Sequence, residues 1–250
     1  MVSSDREIVR SERSGNDLKV KIFADGADKQ SMLDSYAHPL VAGFTTNPSL
    51  MRGAGVEDYV AFANDIVREI PDRPISFEVF SDDIAEMEVQ AREIATWGEH
   101  VYAKIPVSNT RGEPVYDMVH RLSHDGIKVN VTAIFVLEQV RNVAQAIEGG
   151  APSCVSVFAG RIADAGIDYM PTMRASVELL ASNPEAELIW ASPREVYNVV
   201  QADEIGCHII TCTNDIISKL STIGKDLNEF SLETVKVFYR DAQAAGFAIK

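Results

Sequence analysis

The sequence predicts an α/β fold, a single-domain (β/α)₈ barrel, on three observations. Short runs rich in β-branched and apolar residues alternate eight times with longer stretches of helical composition. The chain's 250 residues match the roughly 250 that a barrel of ordinary size requires around one core. The signatures of the competing doubly wound sheet are missing. "GAGVED" at 53–58 lacks the third glycine of a dinucleotide-binding turn, and in "IGKDL" at 223–227 an aspartate follows the lysine where a P-loop needs a hydroxyl.

The strand candidates follow in order. "KVKIFAD" at 19–25 opens the barrel, and "VAGFTTN" at 41–47, "ISFEVF" at 75–80 and "VYAKIPV" at 101–107 continue it. "KVNVTAIF" at 128–135, "CVSVFAGRI" at 154–162, "ELIWAS" at 187–192 and "HIITCT" at 208–213 complete it. Segments such as "VEDYVAFANDIVREI" at 56–70 and "SPREVYNVVQADEIG" at 192–206 have the composition of the intervening helices. The expected division is a polar tail over 1–18 and a barrel with a C-terminal helix over 19–250.

Alternation within these runs carries the functional signal. Strands of a parallel barrel are usually apolar on both faces, and several here are not. In "VYAKIPV", Val101, Ala103, Ile105 and Val107 share one face, which places Lys104 on the other with Tyr102 and Pro106. By the same count Asp25 opposes Val20, Ile22 and Ala24. Glu78 opposes Ile75, Phe77 and Val79, while Asn130 and Thr132 oppose Val129, Val131 and Ala133. Asn47 and Ser156 share the inward parity. For Ser156 or Thr132 alone a satisfied core hydroxyl is the plainer reading. A lysine, two carboxylates, two asparagines and two hydroxyls on one inward face, mostly near the C-terminal ends of the strands, make a costly core unless the site is used. Desolvation favours the neutral amine of a lysine, the form that attacks a carbonyl, whereas ionised Asp25 and Glu78 oppose that shift.

The remaining features narrow the function. A net charge of −14 repels nucleic acid and anionic membranes at long range, so a phosphate site must be built from a few local cations. Cys154, Cys207 and Cys212 are odd in number and form no CxxC pair, as expected of reduced structural thiols in a cytosolic protein. The N-terminal "MVSSDREIVRSERSGND" lacks the apolar stretch of a signal peptide and is expected to be a tail or short capping helix. His120 and His124 stand four apart in "HRLSH", but without an HExxH glutamate a solvated helix face is the simpler account. No metal site and no organic cofactor are expected. Tyr102 and Trp190 suit barrel packing or a pocket wall equally well.

Seven motifs in order resemble the transaldolase family of Schiff-base barrel enzymes, over about residues 19–220. They are "FAD" at 23–25, "GFTTNPSL" at 43–50, "FEV" at 77–79, "AKIPV" at 103–107, "NVTAIF" at 130–135, "SVFAGRIAD" at 156–164 and "ASPR" at 191–194. The resemblance implies a transferase acting in the pentose phosphate pathway of the cytoplasm, with sugar phosphates as ketose donor and aldose acceptor. It implies that Lys104 forms an imine with a ketose carbonyl, that Asp25 is the acid/base, and that Glu78 with Thr132 holds a proton-carrying water. Asn47, Asn130, Ser156 and Phe158 would contact the dihydroxyacetone unit, and Arg161, Ser192 and Arg194 would clamp a phosphate. Without that context, Arg161 is expected in a surface ion pair with Asp164, and Arg194 at a solvated helix start.

Two alternatives stay open at this point. A fructose-6-phosphate aldolase-like enzyme would release free dihydroxyacetone, but such members typically carry glutamine and tyrosine where this chain has Glu78 and Phe158. A non-catalytic sugar-phosphate-binding barrel is opposed by the intact Lys104, Asp25 and Glu78. The family pattern is altered at "VSNTRGEP" after the lysine strand, at Pro193 and at "ADG" after the first strand, which predicts a changed acceptor preference. The sequence does not fix the oligomeric state, and a homo-oligomer stays open.

Overall fold

The computed structural model describes residues 15–247. These fall into two compact units, one spanning Leu18–Ser218 and the other containing residues 15–17 and the chain from Lys219 onward. Of the predicted tail over 1–18, residues 15–18 are described, as a 3₁₀ turn at Gly15–Asp17 followed by Leu18.

The larger unit is a closed, all-parallel barrel whose strands pair in chain order. They are β1 (Lys21–Asp25), β2 (Val41–Thr45), β3 (Ile75–Glu78), β4 (Val101–Pro106), β5 (Val129–Ile134), β6 (Ser153–Val157), β7 (Ala186–Trp190) and β8 (Ile209–Cys212). All eight predicted runs contain a strand. The helices are α1 (Lys29–Tyr36), α2 (Pro48–Gly53), α3 (Tyr59–Glu69), α4 (Ile84–Ala95), α5 (Tyr116–His124), α6 (Leu137–Ile147), α7 (Ala159–Asp164), α8 (Met170–Leu180), α9 (Tyr197–Glu204) and α10 (Asn214–Ile217).

Strand ends are set by capping chemistry. Asp28, Asn47, Asp58 and Asp83 each accept a hydrogen bond from a backbone N–H in the first turn of α1, α2, α3 and α4. The predicted strand over 41–47 therefore stops at Thr45: Asn47 is the cap of α2, and Pro48, with no N–H to lose, suits its first turn. The predicted strand over 154–162 is likewise too long. It ends at Val157, and Ala159–Asp164 is helical.

Barrel packing separates an apolar floor from a polar mouth. Phe23, Cys154, Ile189 and Ile209 form a buried cluster with Ala42 and Tyr102 against it. Gly43 makes room for Phe23, since a Cβ there would lie 2.6 Å from the ring. The opposite strand faces, among them Ile22, Val41, Phe77, Ile105 and Val131, are buried, as expected where α-helices cover a parallel sheet.

The smaller unit contains a 3₁₀ turn at Leu220–Thr222 and α11 (Leu227–Ala245), capped by the Asp226 carboxylate. No residue of α11 is buried, and Phe230, Val235, Phe238 and Tyr239 are exposed. No described helix is long and apolar enough to cross a membrane.

Candidate active site

A cavity of about 530 Å³ opens at the C-terminal ends of the strands, and Lys104 lines it with Asp25 and Glu78. Lys104 is only 6% exposed. Its Nζ lies 3.0 Å from Glu78 Oε2 and donates to the Thr46 carbonyl at 2.7 Å. Adjacent strands place this pair, because Glu78 on β3 and Lys104 on β4 are register partners. The Tyr59 hydroxyl of α3 donates to the Glu78 carbonyl at 2.9 Å and fixes the end of β3. Burial pushes the Tyr59 hydroxyl well above the usual phenol range, so it stays a donor at any physiological pH.

Asp25, at the end of β1, accepts a hydrogen bond from the Thr45 hydroxyl of β2 at 2.8 Å. Burial raises its carboxyl above the ordinary aspartate value, while the Lys104 charge and the Thr45 hydrogen bond act in the opposite direction. A second hydroxyl, from Thr211 of β8, lies 2.5 Å from Thr45 Oγ1.

Across the cavity, Asn130 and Ser156 belong to one buried network. Ser156 Oγ donates to Asn130 Oδ1 at 2.7 Å, and Asn130 Nδ2 donates to Ser76 Oγ at 2.9 Å. Thr132 Oγ1 is buried with no hydrogen-bonding partner among the described protein groups. Asn47, expected on a strand, reaches the cavity from its capping position. Ala133 corrects the alternation reading. It lines the cavity instead of facing the helices, because the β5–β6 register shifts between Val131 and Ile134 and its φ is +59°.

Cationic and aromatic groups form another part of the wall. Arg161, Phe158, Phe135 and Ser192 line it. The Phe135 and Phe158 rings are stacked 5.8 Å apart, and the Arg161 guanidinium lies 5.5 Å from the Phe158 centroid. Ser192 adopts φ +62°, and its carbonyl oxygen would sit 1.6 Å from a Cβ on Gly160. Only glycine allows α7 to approach the β7 end this closely. The expected Arg161–Asp164 pair is replaced by another. Arg194 holds Asp164, with Nε 3.0 Å from Oδ1, and does not line the cavity. Arg194 is thus exposed ahead of α9, as expected, but paired with the last residue of α7, and its hydrogen bond, aided by its charge, holds the Asp164 carboxyl below the usual range.

The structure therefore gathers Lys104, Asp25, Glu78, Thr132, Asn47, Ser156, Phe158, Arg161 and Ser192 around one cavity, with Asn130 hydrogen-bonded to Ser156. Sequence reasoning missed Thr45, Ser76, Thr211 and Phe135. Ser76 had a signal, the inward parity it shares with Glu78. The His120 and His124 rings lie 4.0 Å apart on α5 with their planes tilted by 41°, and Nδ1 of each is against a backbone carbonyl. Among the described residues no group of three or more His, Cys, Asp or Glu is placed to hold a metal. Trp190 is buried and Tyr102 packs on the floor. All three cysteines are free and buried, and burial pushes the Cys207 and Cys212 thiols up to about 12.

The environment of Asp25 has a measurable consequence. Its folded-state carboxyl binds protons more tightly than the unfolded one. Its contribution to stability is complete below the unfolded value near ~3.9 and is lost as pH rises through the higher folded value. Asp25→Asn, which cannot ionise, should melt above the wild type at pH 7.5 by about 2 °C or more, with the gap closing toward pH 3. Melting curves that stay parallel across this range would show that burial does not disfavour the carboxylate.

Comparison with known proteins identifies the family of the chain. Residues 22–249 match the Transaldolase/Fructose-6-phosphate aldolase family. A probable transaldolase of Thermoanaerobacter sp. is 34% identical over 224 residues, covering 89% of this chain and 98% of the relative. One from Methanococcus maripaludis is 36% identical over 205 residues, covering 80% and 89%. Among solved structures, 2,3-dimethylmalate lyase aligns at a TM-score of 0.53 and 12% identity, over 93% of this chain and 86% of that one, a likeness of fold alone. The chain belongs to the transaldolase/fructose-6-phosphate aldolase family.

Proposed function

We propose that this protein is a transaldolase, moving a dihydroxyacetone unit between sugar phosphates through an imine on Lys104. The observation that carries the reading is the buried Lys104 amine held 3.0 Å from Glu78 in a cavity that Asp25 also lines. In the proposed reaction Glu78 takes a proton from Nζ, the neutral amine attacks the ketose carbonyl carbon, and Glu78 returns the proton as the carbinolamine loses water to give a protonated imine. The Asp25 carboxylate then takes the proton of the hydroxyl beside the scissile carbon–carbon bond. The electron pair of that bond moves into the imine to give an enamine, and the aldose phosphate departs. A second aldose phosphate reverses the step. The partnerless Thr132 hydroxyl suits a water held between it and Glu78.

Glu78 and Phe158 support the transferase reading over release to solvent. With fructose 6-phosphate alone the protein should free little dihydroxyacetone, and adding erythrose 4-phosphate should produce sedoheptulose 7-phosphate. A glutamate exchanges a proton with a bound water whereas glutamine only positions it, so Glu78→Gln should shift the balance toward free dihydroxyacetone. Release at the same rate with and without acceptor would contradict the reading and favour the aldolase.

Arg161 and Ser192 are the proposed first contacts of the substrate phosphate, and Arg194 would join them by giving up Asp164. An arginine–phosphate contact is charge-assisted and contributes ~1.5–3 kcal/mol. Arg161→Ala should therefore raise KM for phosphorylated substrates roughly tenfold or more, with little change for dihydroxyacetone, and Arg194→Ala should have a smaller effect. Equal losses on both substrate types would assign the arginines a structural role.

A further inference from the structure

The barrel mouth contains a hydroxyl that the proposed reaction does not use. Thr211 is 6% exposed and Thr45 2% exposed, and a valine of the same shape would fill either strand position without a polar group to desolvate. Their Oγ1 atoms are 2.5 Å apart, and Thr45 Oγ1 lies 2.8 Å from Asp25 Oδ1. Thr45 has one hydroxyl proton, and the ionised carboxylate can only accept, so that proton points to Asp25. The proton between the two threonines then belongs to Thr211. The result is a directed chain from β8 through β2 to β1, in which each donor polarises the next.

We propose that Thr211 is a positioning residue: by donating to Thr45 it fixes the Thr45 hydroxyl as a donor to Asp25, and so sets the orientation and proton affinity of that carboxyl. If Asp25 takes up a proton in turnover, the chain can reverse, with Asp25 donating to Thr45 and Thr45 to Thr211, so every hydroxyl keeps a partner in both states. A valine at 211 would remove that second arrangement as well as weakening the first.

Few other groups compete for this role. Lys104 on β4 acts on Asp25 through its charge and is itself paired with Glu78 of β3. The Cys212 thiol of β8 also feels the Asp25 charge, and with its pKa pushed up to about 12 it stays neutral through the working range. From β2 the Thr45 hydroxyl donates to the carboxylate.

The inference rests on Asp25 acting as acid/base, so the test reads Asp25 both with and without turnover. Asp25 is titrated by NMR in ¹³C-aspartate-labelled protein, its signal assigned with Asp25→Asn, in the wild type, Thr211→Val and Thr211→Ser. The proposal expects the Asp25 midpoint to move to higher pH in Thr211→Val and to return to the wild-type position in Thr211→Ser. The acid limb of the kcat profile for ketol transfer should move the same way. Below that limb kcat should fall roughly two- to fivefold, the size of a lost polarising donor, with KM within about twofold of the wild type. Should the valine variant fail to fold, Thr211→Ala reads the same displacement. An unchanged midpoint in the hydroxyl-free variant, or a serine variant that behaves like it, overturns the proposal and leaves Thr211 as strand packing. If the wild type shows no ketol transfer, the functional reading fails, while the titration still decides the role of Thr211.

Discussion

The ion pair between Lys104 and Glu78 is the constraint on which the rest of the barrel mouth depends. An ammonium this deeply enclosed is tolerated only with a partner at contact distance, and removing one member of such a pair typically costs ~3–5 kcal/mol. The partner comes from the neighbouring strand in register, and a second acceptor comes from the Thr46 backbone. Once that pair is fixed, the surrounding inward positions must be polar or open to the cavity. Asn130, Ser156 and Ser76 satisfy one another, and Asp25, Thr45 and Thr211 do the same on the other side.

This arrangement divides the barrel into a stabilising end and a working end. The floor is a close-packed apolar plug built on Phe23 and Gly43. The mouth contains the features that oppose stability: an aspartate disfavoured by burial, an unpartnered Thr132 hydroxyl, and two non-glycine residues, Ala133 and Ser192, in left-handed conformations. Each left-handed residue costs on the order of 1–3 kcal/mol, and both line the cavity. Local strain is therefore concentrated where substrate would bind, while the floor and the helix-facing layer hold the geometry rigid.

Much of this was legible in the sequence, for a physical reason. Period-two alternation is a strong rule, so a lysine or carboxylate interrupting an apolar strand announces its direction; Lys104, Glu78 and Asp25 were found that way. Thr45, Ser76 and Thr211 gave less signal, because threonine suits any strand and a small serine disturbs no pattern. Ala133 was misread because one left-handed residue reverses the parity that alternation assumes. The extent of the sixth strand was overestimated because α7 begins where Gly160 permits contact with the Ser192 carbonyl, more than thirty residues away. The partner exchange of Asp164 from Arg161 to Arg194 is also a long-range choice that no local pattern records.

The central claim is that the buried lysine is a nucleophile and not a structural cation. Borohydride reduction in the presence of fructose 6-phosphate, followed by peptide mass mapping, tests it most directly. A three-carbon or hexose-derived adduct is expected on the peptide containing Lys104, absent in Lys104→Met and not restored by Lys104→Arg, whose guanidinium stays protonated. An adduct that persists in Lys104→Met, or a wild type that forms none under these conditions, would contradict it.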